Sequence, residues 1–138
     1  ALDVVNKYHV PRVILMQCVI AYPAELYDYN LSSMPQFYDE VDEIGVSDHT
    51  MGTEVSECAT ALGFTWIERH FRLYGESKSP DWKVSLNPSM LEYVIRSVNV
   101  VRQILGDGQK VPRDAEKGQR LWARRGSDGL RPANEVKE

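Results

Sequence analysis

Ile44-Gly45-Val46-Ser47-Asp48-His49 and Thr65-Trp66-Ile67-Glu68-Arg69-His70 are two short runs built alike. Each reads as a strand, and each ends in a histidine. Between them, Thr53 to Leu62 reads as a helix stopped by Gly63, since glycine is favoured just past a helix C-terminus. Strand, helix and strand in that order predict a parallel pair. Two neighbouring parallel strands that both finish in histidine bring both imidazoles to one end of a sheet. That end is where α/β proteins keep their chemistry, and imidazole is the commonest protein ligand of a transition metal. The third histidine, His9, lies in a loop-like approach to the first strand and shares none of this context.

Working outward, Arg12 to Val19 follows Pro11 as an apolar run, expected to be a strand covered on both faces. The Tyr22-Pro23 turn follows it. A helix is expected from about Leu31 to Val41, capped by Asn30, with Pro35 near its first turn. The second strand is predicted at Glu43 to Asp48 and the third at Phe64 to His70. After a loop from Phe71 to Leu86 comes the clearest helix, with Asn87 as N-cap, Pro88 in the first position and Gly106 at its end. Leu91, Val94, Ile95, Val98, Val101 and Leu105 form one apolar stripe, expected to pack on a sheet. The alternation predicts an α/β fold of parallel β-α units. Three strands are too few to close a barrel, so the sheet is either small and open or part of a larger one. Residues 1–106 read as the folded part. Residues 107–138 read as a linker or tail, with a short helix around Ala115 to Arg124.

With 138 residues and a net charge of −4, the chain has length for one core and no long run of either sign. Nucleic acid and membrane surfaces are therefore not expected partners. The cluster Lys117, Arg120, Arg124 and Arg125 reads as a solvated linker face. No apolar run reaches the length of a membrane span, and no signal peptide is read. Cys18 and Cys58 are expected to be reduced, buried thiols of a cytoplasmic protein. The chain opens at Ala1 inside a helix-like stretch (Leu2, Val4, Val5), as a piece of something longer would.

The strand ends resemble those of the sialic acid synthase family, in the C-terminal part of its catalytic (β/α)8 barrel. The family's sixth strand ends in Cys-Thr-(Asn or Ser)-x-Tyr-Pro, against Cys18-Val19-Ile20-Ala21-Tyr22-Pro23 here. Its seventh carries Gly-x-Ser-Asp-His-Thr-x-Gly, matched by Gly45-Val46-Ser47-Asp48-His49-Thr50-Met51-Gly52. Its eighth reads Ile-Glu-(Lys or Arg)-His-Phe, matched by Ile67-Glu68-Arg69-His70-Phe71. Pro80-Asp81 and Ser85-Leu86-Asn87-Pro88 then stand in the family's register. Ordered motifs spread over Arg12 to Leu105 are far more specific than one short motif.

The resemblance implies the last three strand-helix units of a barrel that condenses phosphoenolpyruvate with an N-acetylmannosamine-like sugar. It implies a divalent metal, Mn²⁺ first and Mg²⁺ or Co²⁺ next, held by His49 and His70. It also implies a phosphate-binding hydroxyl at Ser47 and sugar-side contacts at Tyr22 and Asp81, with Asp81 near the aldehyde as the catalytic candidate. Asp48 is expected to brace its loop, and Glu68 and Arg69, on opposite faces of their strand, are left outside the site. The chain departs from the family pattern at Ile20, which cannot hydrogen-bond a phosphate, at Glu76 to Pro80, and at Trp82. The lysine-bearing first strands of the family are not in this sequence. An alternative reading is therefore a non-catalytic half-barrel that pairs with a complementary chain or with itself, as exposed strand edges favour.

Overall fold

A computed structural model describes residues 1–75 and 79–131. The chain divides into two compact units, Ala1–Gly106 and Asp107–Glu138. The first holds three parallel strands in the order β1 (Ile14–Cys18), β2 (Glu43–Asp48) and β3 (Trp66–Arg69). Helix α1 (Leu2–Lys7) precedes β1, α2 (Glu54–Ala61) joins β2 to β3, and α3 (Pro88–Leu105) follows β3. In the second unit a 3-10 turn at Asp114–Glu116 leads into α4 (Lys117–Ala123). Among the described residues no helix is long and apolar enough to cross a membrane.

Register determines which side chains share a face. Met16 pairs with Gly45 and Gly45 with Trp66; Cys18 pairs with Ser47 and Ser47 with Glu68. Residues two apart on a strand face the same way. One face therefore carries Met16, Gly45, Trp66, Cys18, Ser47 and Glu68. The other carries Leu15, Ile44, Val46, Asp48, Ile67 and Arg69. The second face is the one the connections cover: Ile44 and Val46 pack with Ala24, Tyr29, Met34, Val55, Ala59 and Phe64 in the core. Gly45 belongs to the first face because a Cβ there would lie 2.3 Å from Met16 Sδ and 2.7 Å from Trp66 Cβ.

Helix ends follow the expected chemistry. Asn87 accepts a hydrogen bond from the Met90 amide, with Pro88 in the first turn. After α2, Gly63 adopts φ +89, while the Gly63 and Phe64 amides reach back to Thr60 and Ala59. That is a Schellman closure, which a residue with a Cβ would strain.

Four expectations need correction. The helix foreseen at Leu31 to Val41 is replaced by 3-10 turns at Leu26–Tyr29, Leu31–Ser33 and Pro35–Phe37. Asn30 sits in left-handed backbone and makes no cap, and Pro35 has no amide to continue an α-helical ladder. The α3 stripe packs against α2 rather than on a sheet. Only Val94 of the stripe is buried, because β3 is the last strand on that side and offers no further surface. Strand β1 is half-buried rather than covered on both faces. Cys18 and Cys58 are exposed, the first at the edge strand and the second on the solvent side of α2. The loop stretch Glu76 to Lys78 lies outside the described residues.

Candidate functional site

At the C-terminal end of the sheet three rings meet. The His49 and His70 ring centroids lie 5.1 Å apart, and the Tyr22 ring stacks on His49 at 4.3 Å with its edge toward His70 at 5.6 Å. Strand parity explains this: His49 and His70 each stand two residues beyond the register pair Ser47 and Glu68, on the same face. Tyr22 arrives from the loop after β1, which carries a cis Tyr22–Pro23 peptide bond.

His49 is held from several sides. Its Nδ1 lies 2.8 Å from the Val19 carbonyl oxygen. A carbonyl can only accept, so Nδ1 carries the proton and the neutral ring keeps a lone pair on Nε2. The His49 amide donates to the Tyr29 hydroxyl at 2.6 Å, and its carbonyl accepts from the Ala24 amide at 3.1 Å. At 3 % exposure for the whole residue, His49 has little room to turn. His70 is more open, and its Nδ1 stands 3.9 Å from Asp81 Oδ2, beyond hydrogen-bond reach.

The Ser47 hydroxyl donates to Glu68 Oε1 at 2.7 Å and lies 3.2 Å from His49 Nε2. Asp48 points to the opposite face and braces the loop there. One of its oxygens accepts from the Thr50 amide and hydroxyl, and the other accepts from Ser56 and from Arg69 at 2.5 Å. Asp48 and Arg69 are both almost completely buried, so each removes the other's unpaired charge.

All five residues singled out in the sequence, Tyr22, Ser47, His49, His70 and Asp81, thus gather at one end of the sheet. Glu68 joins them too: it was left outside the site, although strand alternation places it, two residues before His70, on the histidine face. Tyr29 was also missed, since no motif marks it. Ile20 stands by the same end, 88 % exposed.

The donor chemistry suits a divalent ion at the histidines. An Nδ1–H tied to a backbone carbonyl, with Nε2 left bare, is the arrangement metal-binding imidazoles adopt. Among the described residues no three His, Cys, Asp or Glu side chains converge as a ligand set. Two imidazoles would therefore need oxygen ligands from reactants or water.

A parallel α/β sheet with paired histidines at its strand ends defines the general class, and comparison with known proteins narrows it. A model of the NeuB family matches residues 1–110, and the chain belongs to that family. The N,N'-diacetyllegionaminic acid synthase of Legionella pneumophila is 33% identical over 130 residues, covering 91% of this chain and 36% of that protein. The N-acetylneuraminate-9-phosphate synthase of Homo sapiens is 35% identical over 102 residues, covering 72% of this chain and 28% of that protein. The crystal structure of N-acetylneuraminic acid synthetase from Leptospira borgpetersenii, in complex with citrate, superposes with TM-score 0.73 at 31% identity. That match covers 86% of this chain and 41% of the other. The chain therefore spans about a third of the length of the curated relatives it matches. The resemblance drawn from the strand ends is borne out.

Proposed function

We propose that this chain carries the strand-end face of a sialic-acid-type synthase, forming the last three strand-helix units of a (β/α)8 barrel. The reaction would join phosphoenolpyruvate to an N-acetylmannosamine-like sugar through a new carbon–carbon bond, with phosphate released. The observation that supports it best is the juxtaposition of His49 and His70, with their ring centroids 5.1 Å apart beside Tyr22. The names of several relatives, among them an N,N'-diacetyllegionaminic acid synthase and an N-acetylneuraminate-9-phosphate synthase, favour the same class.

In this reading His49 and His70 would hold a divalent cation, Mn²⁺ in first place. When bound, such an ion supplies Lewis-acid polarisation of the sugar aldehyde. The chain's own residues do the rest. The Val19 carbonyl fixes the His49 ring, and the Tyr22 ring walls one side of the site. The Asp81 carboxylate stands beside His70 on the open side, where it can orient a sugar hydroxyl or a water. Ser47 would offer its hydroxyl to the phosphate by turning away from Glu68. The expected setting is the cytoplasm, where exposed thiols such as Cys18 and Cys58 stay reduced. The test is phosphate release from phosphoenolpyruvate and N-acetylmannosamine by this chain, supplied with the first half of a relative's barrel. Release that is lost in His49→Ala supports the reading; release unaffected by His49→Ala and His70→Ala overturns it.

A second reading, a half-barrel that must pair to work, is favoured by a different observation. Between β3 and α3 lies a groove of about 370 Å³ lined in part by Ile67, Phe71, Leu91, Ile95 and Val98. Arg69 also lines it, and the buried Arg69 Nε has no hydrogen-bond partner among the described residues. An added strand would cover the groove and offer carbonyl acceptors.

A further inference from the structure

Ser47 and Glu68 are register partners across β2 and β3, one level below His49 and His70. Ser47 has one hydroxyl proton and two acceptors within reach: Glu68 Oε1 at 2.7 Å and His49 Nε2 at 3.2 Å. The Nε2 atom is an acceptor because Nδ1 spends its proton on the Val19 carbonyl. The two choices have different consequences. A proton turned to Nε2 would occupy the lone pair that a metal requires. Turned to Glu68, as the structure has it, the proton leaves that lone pair bare.

We propose that Glu68 is a positioning residue of this site: by drawing the Ser47 hydroxyl proton across the strand pair, it keeps His49 Nε2 open as a ligand. The inference rests on the reading of His49 as a metal ligand. A carboxylate wins the competition because hydrogen bonds to an ionised acceptor are roughly twice as strong as neutral ones. The shorter contact to Glu68 agrees. Glu68 itself needs to touch neither metal nor substrate. It acts through Ser47.

The experiment uses the whole chain and three variants, Glu68→Ala, Glu68→Gln and the double variant Ser47→Ala/Glu68→Ala. The ¹⁵N shifts of the His49 ring are read without metal, and Mn²⁺ affinity is read by isothermal titration. In Glu68→Ala the hydroxyl should turn, moving the Nε2 shift from that of a bare nitrogen to that of a hydrogen-bonded acceptor. Mn²⁺ affinity should fall about ten- to a hundredfold, as when a partner behind a metal ligand is lost. The double variant has no hydroxyl to compete and should recover both values. Glu68→Gln, which fills the same space with a neutral acceptor, should lie between and answers for Glu68→Ala should that variant not fold. A double variant as weak as Glu68→Ala, or an Nε2 shift unmoved in both Glu68 variants, overturns the inference. If neither parent nor variants bind Mn²⁺, the ligand reading fails, and the metal-free ¹⁵N shifts still decide which way Ser47 points.

Discussion

Tyr29 grips the end of β2 from within the covering layer. Its hydroxyl donates to the Ser47 carbonyl at 3.2 Å and accepts from the His49 amide at 2.6 Å. Burial pushes the phenol above its ordinary value, so the proton it donates stays in place. Tyr29→Phe would remove a hydrogen bond from each of two buried backbone groups and should lower stability by about 1–3 kcal/mol, read as a shift in the urea midpoint. Asp48→Ala strands the Arg69 charge in the interior and should be more damaging, about 3–5 kcal/mol by the same measurement. An unchanged midpoint in either variant would mean that these contacts do not hold the strand end. Legibility differed sharply among these residues. His49, His70, Tyr22, Ser47 and Asp81 stood in ordered motifs, so their common end of the sheet could be read from sequence. Tyr29 could not, because its place depends on how a loop folds back, whereas the alternation that sets Glu68 on the face of His70 was a signal left unused.

At the scale of elements, β2 and α3 were readable because their signals are local. An apolar strand run needs no partner to be recognised, and Asn87-Pro88 at one end with Gly106 at the other bounds α3. The stretch from Leu31 to Val41 misled for a physical reason. Asn30 reads as a cap but takes left-handed backbone, and Pro35 has no amide to continue an α-helical ladder, so the chain closes into single 3-10 turns. Asn87→Ala removes the cap bond to Met90 and should cost about 1 kcal/mol, with lower helix content on heating. At the other end of the sheet, Glu43 ties the strand starts together by accepting from the Trp66 indole and from Arg12. The Trp66 hydrogen bond first, then that of Arg12, hold its carboxyl below the ordinary glutamate value. A depressed carboxyl contributes stability above its unfolded value and loses it as pH falls through the folded one. Glu43→Gln should therefore be less stable than the parent near pH 7, with the gap closing as the solution is acidified below the ordinary glutamate range. A gap that widens on acidification would refute that sign.

In the unit Ala1–Gly106 the connections cover the sheet face that carries the core, and the opposite face carries Met16, Trp66, Glu68 and, at its end, the two histidines. The order of strand-like and helix-like runs made the parallel sheet readable, whereas the α3 stripe's packing on α2, with only Val94 buried, was not foreseen. An amphipathic stripe tells that something must cover it, not whether that surface lies within the same chain. If pairing completes the fold, sedimentation should find the chain self-associated, or driven into a complex by a relative's first half. A lone monomer indifferent to that half would count against it. The central claim, that the two strand-end histidines form a metal site, is tested most directly by isothermal titration of Mn²⁺ into the parent chain, His49→Ala and His70→Ala. Binding with a Kd on the order of micromolar, lost in both variants, is the predicted result. No binding by the parent, or binding that survives both substitutions, would contradict it.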